Sequence, residues 1–217
     1  TIDLTSAGGS TAYTIVSGAG TDTLKGDDGN DTFTISAAGE GNNDTIDGDA
    51  HTGGSGDTIE LSTGSHTFST DNKILNIETI VTHTSGSTVI LTGQTENFTI
   101  TGNSGADIIT GGNAVDTVNA GNGNDSITGG AGNDIITGGS GNDTFNVNLG
   151  TDTITDLSTG DDLIVSSGAT ATATNIASFV ADSDTLNSGT ANLTARAAGG
   201  IIKVNAAGSG TYNINSG

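Results

Sequence analysis

The sequence contains no cysteine, proline, methionine or tryptophan. Without Cys there are no disulfides and no thiolate metal sites, so any metal bound here is held by oxygen. That absence does not decide the compartment, because an oxidising environment permits disulfides without requiring them. Without Met there is no initiator residue, and a fragment or processed piece is expected. Cationic residues are nearly as scarce: 4 Lys+Arg stand against 25 Asp+Glu, a formal net charge of −21. This balance speaks against nucleic-acid binding, which needs a basic footprint, and against an anionic membrane surface. No apolar run approaches the roughly 20 residues of a membrane helix. No basic, hydrophobic signal segment opens the chain. Aromatics number 2 Tyr and 5 Phe. Strong acidity with few aromatics fits either a disordered chain or one whose fold is completed by a cation.

What the sequence has in excess is glycine, 36 of 217 residues. Each interior glycine costs a helix roughly 1 kcal/mol, so an ordered chain of this composition is all-β. The glycines are periodic. Asp107, Asp116, Asp125, Asp134, Asp143 and Asp152 recur every nine residues, and Asp161 extends the register. Two positions after each comes an apolar residue: Ile109, Val118, Ile127, Ile136, Phe145, Ile154 and Leu163. A second copy near the start, GAGTDTLKGDDGNDTF, places Leu24 and Phe33 behind Asp22 and Asp31.

Nine residues make a tight turn and a short strand with one inward apolar side chain. Glycine permits positive φ in the turn, and Asn and Asp tolerate it. Two such units complete a coil, so units eighteen residues apart stack, with parallel strands, into a flattened solenoid. One apolar residue per nine is a thin core, and stacked rows of Asp repel. A hard divalent cation answers both problems. Calcium takes roughly 6–8 oxygen ligands from carboxylates and backbone carbonyls, and glycine turns let carbonyls converge. The expected stacked pairs are Asp107 with Asp125, Asp125 with Asp143, Asp116 with Asp134, and Asp134 with Asp152.

GGAGNDIIT (129–137) and GGSGNDTFN (138–146) fit the nonapeptide G-G-x-G-x-D-x-U-x, with U apolar, at every defined position. GNSGADIIT (102–110), GGNAVDTVN (111–119) and AGNGNDSIT (120–128) each depart at one glycine, and VNLGTDTIT (147–155) lacks the first two. The sequence thus resembles the repeats-in-toxin (RTX) family over 102–155 and 17–34, about a third of the chain. The resemblance implies an all-β parallel β-roll, or β-solenoid, with calcium-binding nonapeptide turns and several Ca2+ ions. The candidate metal-site residues are Asp107, Asp116, Asp125, Asp134, Asp143 and Asp152, with Asp22, Asp31, Asp44 and Asp57 in the first block. Gly105, Gly123, Gly132 and Gly141 belong to the same turns. Asp44 and Asp57 repeat the Asp-Thr-Ile unit at steps of thirteen, read as coils with a four-residue insertion.

Three segments are expected. Residues 1–101 form a β-solenoid with a short RTX block (17–34) and irregular coils. Residues 102–164 form the regular β-roll. Residues 165–217 form a C-terminal β cap or the start of a next domain. Residues 73–101 have no Asp and are expected to continue the solenoid without calcium. A short helix is expected around 174–182. Asp156 and Asp162 lie where the pattern decays and read as solvated. His51, His66 and His83 are too scattered for a local zinc motif. No G-x-S-x-G elbow precedes a helix, and carboxylate pairs are too common here to mark a catalytic centre, so the chain is not expected to be an enzyme. Thr110, Thr128 and Thr137 beside the apolar positions are candidates for an outward Thr row that binds ice or carbohydrate.

The arrangement of glycine-rich repeats and β segments is most like bacterial surface-layer and large adhesin proteins of the RTX type. This implies an extracellular, cell-surface location, type I secretion in the unfolded state, and folding on calcium outside the cell. Self-assembly into a lattice or array, or a cell-surface polysaccharide, are the partners it suggests, with no nucleic acid and no membrane span. The alternative is the folding and secretion module of an enzyme whose catalytic domain lies outside this sequence.

Overall fold

Strands of two to seven residues alternate with glycine turns along the chain. A computed structural model describes residues 1–5, 11–39, 43–49, 56–204 and 208–217. His51 and the insertions expected ahead of Asp44 and Asp57 lie partly or wholly outside the described residues. Every pairing between described strands is parallel, and the chain is an all-β parallel solenoid.

Sheet order follows the coils. An 11-stranded sheet runs nearly end to end, from Thr14–Val16 through Thr58–Leu61, Thr117–Asn122 and Ile135–Ser140 to Thr211–Asn215. The strands that alternate with it form three further sheets, one of them only the pair Ser178–Ala181 and Ile201–Val204. A four-stranded one holds Ile2–Asp3, Thr23–Lys25, Thr45–Asp47 and Ile74–Leu75. A seven-stranded one begins at Gly64–Thr67 and continues through Ile108–Thr110, Ser126–Thr128, Thr144–Val147 and Asp162–Val165 to Leu186–Asn187. The long sheet crosses both the 101/102 and 164/165 positions without a break in pairing.

The core is a pair of apolar ladders. In the long sheet Phe33, Ile59, Ile80, Ile100, Val118, Ile136 and Ile154 pair in register, all buried. In the seven-stranded sheet Val89, Ile109, Ile127, Phe145 and Leu163 do the same. Parallel pairing in exact coil register places like on like, so each side chain packs chiefly on the residue one coil away. His66 closes this second ladder against Val89 and is fully buried, with Nε2 3.1 Å from the carbonyl oxygen of Ser62.

The helix expected at 174–182 is not formed. Thr170–Ile176 is a strand of the long sheet, and Ser178–Ala181 pairs with Ile201–Val204. The reason is the period: TATA alternates outward Thr with buried Ala171 and Ala173, in register with Thr190–Ala195. Asn175, at φ 60°, takes up the bend where the register shifts. The one helical element among the described residues is a 3₁₀ turn at Asp71–Lys73, and no helix there is long and apolar enough to cross a membrane.

Because Ile127 lies between Ile109 and Phe145 in a one-residue-wide ladder, truncation opens a cavity that two coils share. Ile127→Ala is expected to lower stability by about 2–5 kcal/mol in urea unfolding with calcium present. A loss well below about 1 kcal/mol would mean that the coil collapses onto the gap.

Candidate metal centre

Each repeat turn ends in its Asp immediately before the strand, so stacking the coils stacks the carboxylates. The contact between coils is specific. The backbone N–H of Asp107 donates to Oδ1 of Asp125 at 2.8 Å, and that of Asp116 to Asp134 at 2.9 Å. Asp125 donates to Asp143 at 2.9 Å, Asp134 to Asp152 at 3.1 Å, and Asp143 to Asp161 at 3.0 Å, all 18 residues apart. All four expected pairs are therefore brought together.

The ladders extend beyond the regular repeats with longer steps. Asp22 donates through its N–H to Oδ1 of Asp44 at 2.7 Å, 22 residues on, and Asp31 to Asp57 at 2.6 Å, 26 residues on. The N–H of Asp57 then donates to Oε2 of Glu78 at 2.7 Å. Glu78 thus takes an Asp position in the segment that has no Asp and was expected to continue without calcium. Its Glu-Thr-Ile mirrors the Asp-Thr-Ile units, which was the available signal. Phe98 interrupts this ladder, although its N–H still donates to Oδ1 of Asp116.

Oδ1 is used in holding the coils together, which leaves Oδ2. In Asp44, Asp107, Asp125, Asp134 and Asp152 this oxygen is buried and has no hydrogen-bond partner. Asp116 and Asp31 direct theirs at the N–H of Gly112 and Asp27 in their own turns. Burial pushes the carboxyls of Asp107, Asp116 and Asp143 up to about 6, and Asp152 to about 7, from 3.8, with neighbouring carboxylates adding to it. Asp125 and Asp134 move the same way for the same reason.

The glycines set the coil spacing. Gly105, Gly123, Gly132 and Gly141 all have positive φ, at 86°, 152°, 132° and 141°. A β-carbon at Gly132 would strike the carbonyl oxygen of Ala114, and one at Gly141 that of Gly123. The carbonyls of one turn therefore face the backbone of the next, with no room for a side chain. At Gly129 a β-carbon would run into Oδ2 of Asp134. Among the described residues no three His, Cys, Asp or Glu side chains gather as a metal-binding group. Each turn of the regular repeats supplies one buried carboxylate, with backbone carbonyls of the neighbouring turn beside it. Orphaned, buried carboxylate oxygens beside backbone carbonyls are an all-oxygen donor set, which fits a hard cation such as calcium and not a soft one.

Asp156 and Asp162, expected to be solvated, are both half-buried. Asp156 accepts from the N–H groups of Gly138 and Gly139 at 3.0 and 2.7 Å, capping the last regular turn. Oδ1 of Asp162 is buried without a partner.

The family model of the RTX calcium-binding nonapeptide repeat (4 copies) matches residues 8–34, 99–127 and 119–154. Over these residues the chain carries RTX calcium-binding nonapeptide repeats. Several repeats imply several Ca2+ ions. No curated protein and no solved structure matches the chain. The RTX match leaves out Asp44, Asp57, Glu78 and Asp161, which the ladders nevertheless include.

The raised carboxyl pKa values set the sign of the pH dependence. Between the unfolded value near 3.8 and the folded values of about 6 to 7, the metal-free fold holds more protons than the unfolded chain. Its stability is therefore greatest in acid and falls as pH rises through that window. Circular dichroism of chelated protein should show more ordered structure at about pH 5 than at about pH 8. The calcium concentration at the folding midpoint should rise as pH is lowered, because protons and cations compete for the same oxygens. A metal-free signal independent of pH would contradict this.

Proposed function

We propose that the chain is a calcium-stabilised structural module of a secreted bacterial cell-surface protein, a surface-layer or adhesin scaffold that folds outside the cell. The observation that carries this reading is the pair of carboxylate ladders with buried, unpartnered Oδ2 atoms between stacked turns. In a calcium-poor compartment those carboxylates repel and the coils have only thin apolar ladders to hold them. Bound calcium supplies positive charge and oxygen-coordination sites between the turns. The stabilisation is linkage, about 2.7 kcal/mol per independent site at a hundredfold excess over Kd. With the Kd of about 10⁻⁴–10⁻³ M typical of extracellular modules, folding awaits export.

No residue here is assigned a catalytic role. If the module serves a secreted enzyme, the chemistry belongs to another domain, and this chain assists folding and export. A second reading, a face for ice or carbohydrate, is favoured by one observation. Thr14, Thr32, Thr58, Thr79, Thr99 and Thr117 follow one another in register on the outer face of the long sheet, at strand spacings of about 4.7–4.9 Å. The row differs from the one expected: Thr110 pairs with Thr128 in the seven-stranded sheet, whereas Thr137 bonds Thr155 on the long-sheet side.

Sedimentation velocity on one sample, with calcium and with chelator, tests the scaffold reading. Calcium-dependent growth into large ordered assemblies is the expected result. A compact calcium-bound monomer that expands in chelator would favour the accessory role. No response to calcium would remove both.

A further inference from the structure

The second position of the nonapeptide is glycine in the regular turns, at Gly112, Gly130 and Gly139. At Gly112 the backbone N–H donates to Oδ2 of the Asp four residues on, Asp116, at 2.8 Å. In the first block the same position is Asp27, and its N–H makes the same bond, to Oδ2 of Asp31 at 2.9 Å. Neither residue has the positive φ of Gly130 and Gly139, so the backbone at Asp27 matches that of the 111–116 turn, with a carboxylate added where Gly112 has a hydrogen atom.

That carboxylate is held inside. Asp27 is only 3% exposed. Its Oδ1 accepts the N–H of Gly29 at 2.9 Å, which closes the turn. Its Oδ2 is buried and has no hydrogen-bond partner. The lysine two residues earlier does not neutralise it: Lys25 Nζ lies 3.2 Å from Asp47 and 3.6 Å from Asp49. A buried carboxylate oxygen with neither a donor nor a counter-ion is costly, and the next residue, Asp28, shows that an acidic side chain here could have faced solvent. Other oxygens surround the turn. A β-carbon at Gly26 would meet Oδ2 of Asp31 and the carbonyl of Gly48, and one at Gly29 would meet the carbonyl of Thr11.

We propose that Asp27 is a second carboxylate ligand, outside the repeat motif, that makes the 26–31 turn the tightest calcium site of the chain. The inference rests on the calcium reading of the ladders. The physical basis is ligand charge: oxygen sites for calcium gain affinity as carboxylates are added to a rigid frame. On raising calcium from zero this turn fills first.

The test is calorimetric titration of the full chain, stripped by chelator, with calcium chloride. Asp27→Asn keeps the size and the Oδ1 acceptor and removes the charge. Asp27→Gly restores the motif residue, which guards against a variant that merely misfolds. Asp28→Asn removes the same charge one residue away, from the surface. The tightest class of sites should weaken by about tenfold or more in both Asp27 variants and stay within about twofold of wild type in Asp28→Asn. A tightest class unchanged in Asp27→Asn, or equally weakened in Asp28→Asn, overturns the assignment while leaving the calcium reading intact. A wild-type chain that takes up no calcium overturns both.

Discussion

The structure depends on carboxylates placed inside a stack of glycine turns. One oxygen of each Asp is used up as the acceptor for the backbone N–H one coil earlier, which fixes coil spacing and register together. In Asp44, Asp107, Asp125, Asp134 and Asp152 the other oxygen is left buried, and nothing in the protein satisfies it. Glycine is what allows the turns to approach closely enough for this, since a β-carbon would occupy the space between the carbonyl of one turn and the backbone of the next. The thin apolar ladders and the anionic ladders are consequences of the same nine-residue period.

The chain distributes its few cations unevenly. Lys25 bridges two early coils through Asp47 and Asp49, and Lys73 donates to the carbonyl of Asn43. No Lys or Arg occurs between Lys73 and Arg196. The regular repeats therefore contain no protein-borne positive charge, and whatever offsets their carboxylates has to come from solution. Past Asp161 the ladders end, and the coils continue on Ala171, Ala173, Ala191 and Leu193 in register.

Much of this was legible in the sequence because the period is a local property. The apolar positions, the eighteen-residue stacking and the four Asp pairs all follow from counting. What was hidden required long-range register. Glu78 joins a ladder only because the coil before it is 21 residues long, a length that no repeat announces. A helix is expected around 174–182 because Ala is a good helix former, whereas the alternation of Thr and Ala has more weight where a neighbouring strand offers a partner. The outward Thr row was likewise invisible, since its members come from coils of unequal length. Asp156 and Asp162 looked solvated because the repeat decays around them, yet their coils still stack.

The most direct test of the account is amide hydrogen exchange at Asp107, Asp116, Asp125 and Asp134, whose N–H groups donate to the carboxylate one coil away. These amides should be strongly protected in calcium and exchange freely in chelator at neutral pH, while apolar-ladder amides of the last coils, such as Leu193, change less. Equal protection of the four aspartate amides with and without calcium would show that the ladders stand without a cation, and would contradict the central claim.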